Sequence, residues 1–260
     1  MGKEEADCGS PEIIVFPAIP WLYDNTKYDA YLESCLAHFK AQEIPPNVKL
    51  LPVYMTPVLE ECEELTKENT GTIMASKHNE IIDACLETDA THLWFLNADN
   101  EIPPDALKRS LNHDVDVVSG ISVPQKTAHY TTAFRYHPAP TPKLLQSEPY
   151  FRPIKFEDLK DTVIGDAGIV ATGHFCCLVK RHVFDLIRFR WPGLRIVRAK
   201  AVKCPSCEER FEEEFVCRGS KVGYELLFWM DVQMVGFSAR IDGHIVCGHL
   251  PAWPLAELVK

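Results

Sequence analysis

His92-Leu93-Trp94-Phe95-Leu96-Asn97-Ala98-Asp99-Asn100-Glu101-Ile102-Pro103-Pro104-Asp105 is the stretch that decides the fold. It begins as an apolar run too short for a helix and rich in aromatics, which predicts a buried strand. The run changes abruptly to carboxylate and amide side chains, and Pro103-Pro104 force the chain to turn. Asp105 and the residues after it can open a new helix. A buried strand that ends in short acidic side chains is where an open α/β sheet places its site, outside the carboxyl ends of its strands. Asp and Asn oxygens suit a hard cation such as Mg²⁺ or Mn²⁺. A strand-to-helix turn capped by Asp and Asn needs no metal at all. On this stretch alone both readings stand.

Upstream, Glu12 to Phe16 predicts a first buried strand that ends at Pro17-Ala18-Ile19-Pro20, where the prolines interrupt pairing. Tyr28, Tyr31, Leu32, Cys35, Leu36 and Phe39 recur at helical spacing, so 27–42 is an amphipathic helix closed by Pro45-Pro46. Val48 to Met55 is a second strand, interrupted at Pro52. This β-α-β start favours a parallel sheet with right-handed crossovers. The acidic run over 58–70 reads as a solvated face. Thr72 caps a helix from Ile73 to Glu87 that turns Met74, Ile81, Ile82 and Cys85 inward and carries polar Lys77, His78 and Asn79.

Downstream, Asp105 to Leu111 is a short helix and Val115 to Val123 a strand. Residues 124–165 form an excursion over the sheet edge, with an exposed or antiparallel strand at Tyr130 to Tyr136 and a Pro-rich patch at 138–153. Ile169 to Val179 is a strand containing Gly173, a sign of close backbone approach. Lys180 to Ile187 starts a short helix, and a charged insert occupies 199–220. The last elements are a helix from Tyr224 to Gly236 and two strands, Ser238 to Ile241 and His244 to Cys247.

The 260 residues suit one large α/β domain with a real core. A formal net charge of -10 argues against a nucleic-acid partner and gives no support for an anionic membrane surface. The longest apolar runs are broken by Asp166, Gly168, Thr172 and His174, so no transmembrane span is expected. Met1 to Ser10 lacks the apolar core of a signal peptide. Ten scattered cysteines, several in buried-looking patterns, fit a reduced, cytoplasmic protein. Cys204-Pro205-Ser206-Cys207 has zinc-knuckle spacing and Cys217 is a third thiolate. Structural zinc and reduced free thiols are both open for this insert.

Three stretches in this order resemble the GT-A glycosyltransferases, in particular the family-two-like inverting enzymes. Asn97-Ala98-Asp99, followed by Pro103-Pro104 and Leu107, resembles the family's Asp-x-Asp motif. Ala171-Thr172-Gly173-His174-Phe175, with Arg181 and Val183-Phe184, resembles its acceptor-side strand and the helix behind it. Gly223-Tyr224-Glu225-Leu226-Leu227-Phe228, with Asp242 and Cys247-Gly248-His249, resembles its Glu-Asp helix and closing His. The resemblance implies a single GT-A-like α/β domain over 1–260, with a mostly parallel central sheet flanked by helices and a small antiparallel C-terminal part. Residues 12–123 would be the nucleotide-sugar-binding half and 124–250 the acceptor-side half.

It further implies a nucleotide-sugar donor, an acceptor hydroxyl on a saccharide, a lipid-linked carrier or a protein, and transfer with inversion. Expulsion of a diphosphate calls for a divalent cation, and the acceptor hydroxyl calls for a carboxylate base. By resemblance Asp99 is the metal ligand, Asn97 holds the place of the first Asp, and His249 completes a shell that suits Mn²⁺ better than Mg²⁺. Glu225 is the general base, one methylene longer than the usual Asp, and Tyr224 stands in the place of the preceding Glu. Pro17 and Ala18 line base and ribose, Lys77 and Asn79 contact uracil, guanine or phosphate, and Gly173 belongs to the acceptor side. Two other functions fit a related sheet. A sugar-phosphate nucleotidyltransferase would carry a Gly-rich basic loop after the first strand, which Phe16-Pro17-Ala18-Ile19-Pro20 is not. A non-catalytic binding or scaffold protein with a zinc-binding insert would be consistent with Asn97, which removes one negative charge.

Overall fold

The structure is a computed structural model; it describes residues 12–21, 25–57, 70–123, 130–136, 151–165, 170–190, 195–197, 202–203, 210–211, 214–216 and 223–250. The first half holds β1 (Ile13–Trp21), α1 (Asn25–Lys40), β2 (Val48–Leu50), β3 (Tyr54–Pro57), α2 (Thr70–Leu86), β4 (His92–Leu96), β5 (Asn100–Glu101), α3 (Ala106–Asn112) and β6 (Val117–Ser122). Then follow β7 (Tyr130–Tyr136), β8 (Phe151–Lys155), α4 (Phe156–Leu159), β9 (Val163–Gly165), β10 (Val170–Ala171), β11 (Cys176–Lys180) and a 3-10 turn at Arg181–Asp185. Next comes β12 (Arg195–Val197), and within the charged insert lie β13 (Val202–Lys203), β14 (Arg210–Phe211) and β15 (Glu214–Val216). The chain closes with α5 (Tyr224–Val235) and β16 (Ala239–His249).

The central sheet has the order β2-β1-β4-β11-β6-β16-β5, with β3 added to β1 and β9 to β16. β1, β2, β3, β4, β6 and β16 run one way, and β11, β5 and β9 run against them. The fold is therefore mixed α/β with a mostly parallel sheet. A small antiparallel sheet, β10-β7-β8, accompanies it.

Period-2 alternation explains why β4 reads as continuously apolar. Leu93 and Phe95 enter one core with Ile81, Ile82 and Cys85 of α2 and Leu227, Phe228 and Trp229 of α5. Trp94 and Leu96 enter another with Leu32 and Cys35 of α1 and Ala106 and Leu107 of α3. Both faces of the sheet are thus covered. Gly236, at φ 98°, terminates α5 in the left-handed conformation that favours glycine. Arg190 fixes α5 from the side through two bonds of 2.9 Å to Asp231.

Several expectations need correction. β1 does not stop at Pro17; it continues to Trp21 and pairs with β3 through Ala18↔Tyr54, Ile19↔Met55 and Pro20↔Thr56. A proline removes one donor only, and a strand whose two neighbours take turns at pairing tolerates that loss. Pro17 and Ala18 are consequently buried inside the strand rather than set in a loop. α2 begins at Thr70, so Thr72 is helical and not a cap. The strand expected over 169–179 is split into β10 and β11 around Gly173 and His174. Conversely, the two C-terminal strands are one, because the chain passes Gly243 by a register shift between Ile241 and Val246 instead of turning. Cys204, Cys207 and Cys217 lie outside the described residues, as does nearly all of the acidic run.

Gly243 cannot carry a side chain: a Cβ there would stand 1.8 Å from the Leu159 carbonyl oxygen and 2.8 Å from that of Thr162. Its own N–H donates to Thr162 O at 2.7 Å. Gly243→Ala is expected to destabilise the fold by about 3 kcal/mol through this backbone clash, measured as a lowered urea midpoint; an unchanged midpoint would show that the β9–β16 junction yields freely.

Candidate functional site

β4 delivers the acidic turn to the carboxyl edge of the sheet. The Asn100 N–H closes the turn on Asn97 O at 3.1 Å. Asn100 itself, only 2 % exposed, donates its amide to Gly248 O at 2.7 Å. β5 and β16 pair through Glu101↔Gly248 and Asn100↔His249, and Leu250 N–H donates to Asp99 O at 2.9 Å. Residues about 150 positions apart in sequence are thereby set side by side.

The result is an Asp99–His249 pair with Oδ2 and Nε2 3.3 Å apart. His249 Nδ1 lies 3.0 Å from Val123 O. A carbonyl only accepts, so Nδ1 carries the proton and Nε2 is the nitrogen presented to Asp99. Burial alone would lower the His249 pKa; the bond and charge of Asp99, with the Val123 carbonyl, outweigh it and raise the pKa. Neighbouring ligands of one octahedral ion, each at roughly 2.1 Å, stand about 3 Å apart. The Asp99–His249 separation fits two such positions, with the remaining ones left to a ligand or water. Among the described residues no three His, Cys, Asp or Glu side chains converge in this way.

Glu225 reaches the same end of the sheet from the first turn of α5. Its Oε1 accepts the His174 main-chain N–H at 3.2 Å. Burial raises the Glu225 pKa; the His174 N–H and the neighbouring Tyr224 side chain pull it down, the charge of Asp99 pushes it up again, and the net shift is upward. Gly173 has its reason in Phe175: a Cβ would stand 2.8 Å from that ring, with Glu225 Oε1 at an ordinary contact distance of 3.5 Å.

Asp99, His249, Glu225 and Gly173 therefore gather at one end of the sheet, with Asn97 and Ala98 half-buried in the same turn. Lys77 is not a solvated helix residue: it is 7 % exposed, and its Nζ lies 3.0 Å from Glu80 Oε2. Glu80 Oε1 in turn accepts from Thr56 at 2.7 Å. The Asn79 amide is engaged on both sides by the main chain of Phe189, donating at 2.9 Å and accepting at 2.8 Å. It clamps α2 to the segment after the 3-10 turn. Two surface clefts, of about 310 Å³ beside His92 and Lys180 and about 460 Å³ beside Asp105 and Arg109, include none of these residues.

Sequence reasoning missed the support behind Glu225. His78 and His174 are fully buried, with ring centroids 5.8 Å apart. His174 sits edge-on to Phe189 at 4.6 Å and Phe228 at 4.9 Å. His78 packs on Phe189 at 4.7 Å and Phe95 at 5.3 Å. Helical spacing did carry a signal for His78, which falls four residues after Met74 and three before Ile81.

No protein-family model matches the chain, and no curated protein matches it. Solved structures do. A197 from STIV is 11 % identical, with 92 % of this chain and 85 % of that one covered at a TM-score of 0.46. S. aureus TarS 1-349 is 9 % identical, with 90 % and 60 % covered at a TM-score of 0.41. At such scores the likeness says nothing about activity.

Both buried histidines are neutral in the fold, because burial lowers their pKa values, that of His78 to about 4. An unfolded histidine takes its proton near pH about 6.5. Their effect is absent above that pH, and stability is lost as the pH falls from there toward 4. The slope reaches about 1.4 kcal/mol per pH unit for each histidine. His78→Phe should flatten the pH dependence of the urea midpoint across this window; a wild-type slope would remove His78 as its source.

Proposed function

We propose that the chain is a metal-assisted glycosyltransferase of the GT-A type, moving a sugar from a nucleotide-diphosphate sugar to an acceptor hydroxyl with inversion. The observation that carries the reading is the Asp99–His249 pair, built by long-range pairing at the carboxyl end of the sheet beside a carboxylate held on α5. Asp99 and His249 would hold Mn²⁺ or Mg²⁺; when bound, the ion neutralises the charge that develops on the leaving diphosphate. With Nδ1 bonded to Val123, His249 has its Nε2 oriented toward that position.

Glu225 would take the acceptor proton. The acceptor O–H bond breaks as oxygen bonds to the anomeric carbon, the proton passes to the carboxylate, and the sugar–phosphate bond leaves with its electron pair. A carboxyl pKa raised by burial makes a stronger base than a free glutamate. Gly173, next in the chain to the His174 amide that bonds Glu225, would stand on the acceptor side. Pro17, Ala18, Lys77, Asn79, Asn97 and Ala98 would supply donor contacts, with Lys77 paired to Glu80 near β3. The same reading places the protein in the cytoplasm and leaves structural zinc on Cys204, Cys207 and Cys217 as a separate proposal.

A second reading is a nucleotide-sugar-binding protein without transfer. It is favoured by the lack of a third convergent metal ligand among the described residues and by Asn97, an amide where a second acid would strengthen the ion's hold. Thermal shift over UDP- and GDP-sugars, with and without Mn²⁺, separates these outcomes when joined to a product assay. One nucleotide class should raise the melting temperature of the wild type only with Mn²⁺, by mass action, and Asp99→Ala should abolish the rise. Binding without turnover would select the second reading. No shift with any nucleotide under either condition would end both.

A further inference from the structure

At the end of the sheet away from Asp99 lies the cleft of about 310 Å³ beside His92 and Lys180, which takes no part in the transfer chemistry. His92 opens β4 and pairs with Lys180, the last residue of β11. β4 then runs for five residues, roughly 16 Å, before the Asp99 turn begins. α3 brings Ser110 and Leu111 to the cleft, and the link to β6 brings Asp114 and Val115. Small-molecule sites span roughly 300–1,000 Å³, and this volume stands at the lower end of that range.

Its walls are of two kinds. Ile13, Leu111, Val115 and Leu178 supply an apolar lining. The polar groups have no charge to spare. Lys180 Nζ donates to the Asp114 carboxylate at 2.8 Å and to the Asp114 carbonyl at 3.3 Å, so the cation is already matched. The Thr91 hydroxyl gives its one proton to Ile14 O at 3.0 Å. The same oxygen, 2.8 Å from His92 Nδ1, therefore accepts from that nitrogen, and His92 Nε2 keeps its lone pair. Burial and the Lys180 charge push the His92 pKa down to about 4, so the ring is uncharged at neutral pH. Ser110 is 2 % exposed, and its hydroxyl meets no partner among the described residues, which calls for an explanation.

Asp114 stands at φ 46°, in the left-handed region that glycine enters without steric cost. The position carries a carboxylate instead, and strain of this kind persists at ligand sites. Its Oδ1 takes Lys180, and the side chain is 90 % exposed, so its other oxygen is open to a ligand. An anion entering the cleft would meet this carboxylate and no unmatched cation. A wholly apolar ligand would leave the Ser110 hydroxyl unmet. A sugar ring has an apolar C–H face and a rim of hydroxyls that both donate and accept. Asp114 and His92 Nε2 accept, Lys180 donates, and the exposed amide of Asn47 does both.

We propose that this cleft is a saccharide-binding site, remote from the Asp99–His249 pair, that takes one neutral hexopyranose ring with its C–H face on the apolar lining and its hydroxyls on Asp114, Lys180, Asn47 and His92. Binding here needs neither a metal nor Glu225, so it stands whether or not the chain transfers sugar.

The test is a ¹⁵N-NMR titration with methyl β-D-glucopyranoside, methyl β-D-galactopyranoside and methyl α-D-mannopyranoside, each without metal. At least one should shift the amides of His92, Ser110, Asp114 and Lys180 saturably. Asp114→Gly accepts the same φ and should fold with a melting temperature close to that of the wild type, while weakening binding roughly tenfold. Should Asp114→Gly fail to fold, Asn47→Ala at the exposed rim carries the same test. Asp99→Ala should leave the titration unchanged. The proposal is overturned if none of the three glycosides moves these amides, if inorganic phosphate moves them and the glycosides do not, or if the folded rim variant binds as the wild type does. Loss of the shifts in Asp99→Ala would also overturn it, since the sugar would then sit at the transfer site.

Discussion

The bonds between the Asp99 turn and the end of β16 are the constraint on which the site depends. Asn100 donates to Gly248 O, and Leu250 donates to Asp99 O. A buried amide left without its acceptor costs about 1–3 kcal/mol, so the turn and the strand end are held in one register. The pairing is antiparallel although β16 runs parallel to β6 on its other side. β5 can do this because the chain reverses within Asn97–Asn100. The reversal that directs Asp99 to the edge of the sheet also supplies the strand that captures His249.

The rest of the sheet makes this edge available. β4 and β6 lie on either side of β11 and both end at the same edge, which puts Asp99 and Val123 within reach of one imidazole. β11 runs against them, so its amino end, with Gly173 and His174 just before it, arrives at that edge too. α5 then needs only to begin there for Glu225 to meet the His174 amide. An antiparallel strand inside a mostly parallel sheet is what brings the turn before β11 and the turn after β4 to the same end.

What was legible in the sequence follows from periodicity. β4, β6 and α5 announce themselves because their side chains meet one environment per face over several residues. β1 past Pro17 was not legible, because a missing N–H matters only if a neighbour needs it, and that depends on partners far along the chain. Gly243 reads as a turn locally; the carbonyls of Leu159 and Thr162, which occupy the place of a side chain, make it a bulge instead. Asp99, His249 and Glu225 could be nominated by residue type and order, but their meeting depends on register. Tyr224 looked like a departure from a familiar pattern, and its packing against His78 and Phe189 joins elements far apart in the chain.

Histidine shows why residue type alone could not sort the site. His174 and His249 are both substantially buried, yet their surroundings drive them apart. His174 meets only rings, so burial lowers its pKa and it remains a neutral wall. His249 has a carbonyl at one nitrogen and a carboxylate at the other, which fix its orientation and favour positive charge at Nε2. A site that attracts a proton at that position also attracts a metal ion, since both answer to the same lone pair and the same carboxylate. Acid should therefore compete with metal at the Asp99–His249 pair, whereas at His174 the proton meets only aromatic walls.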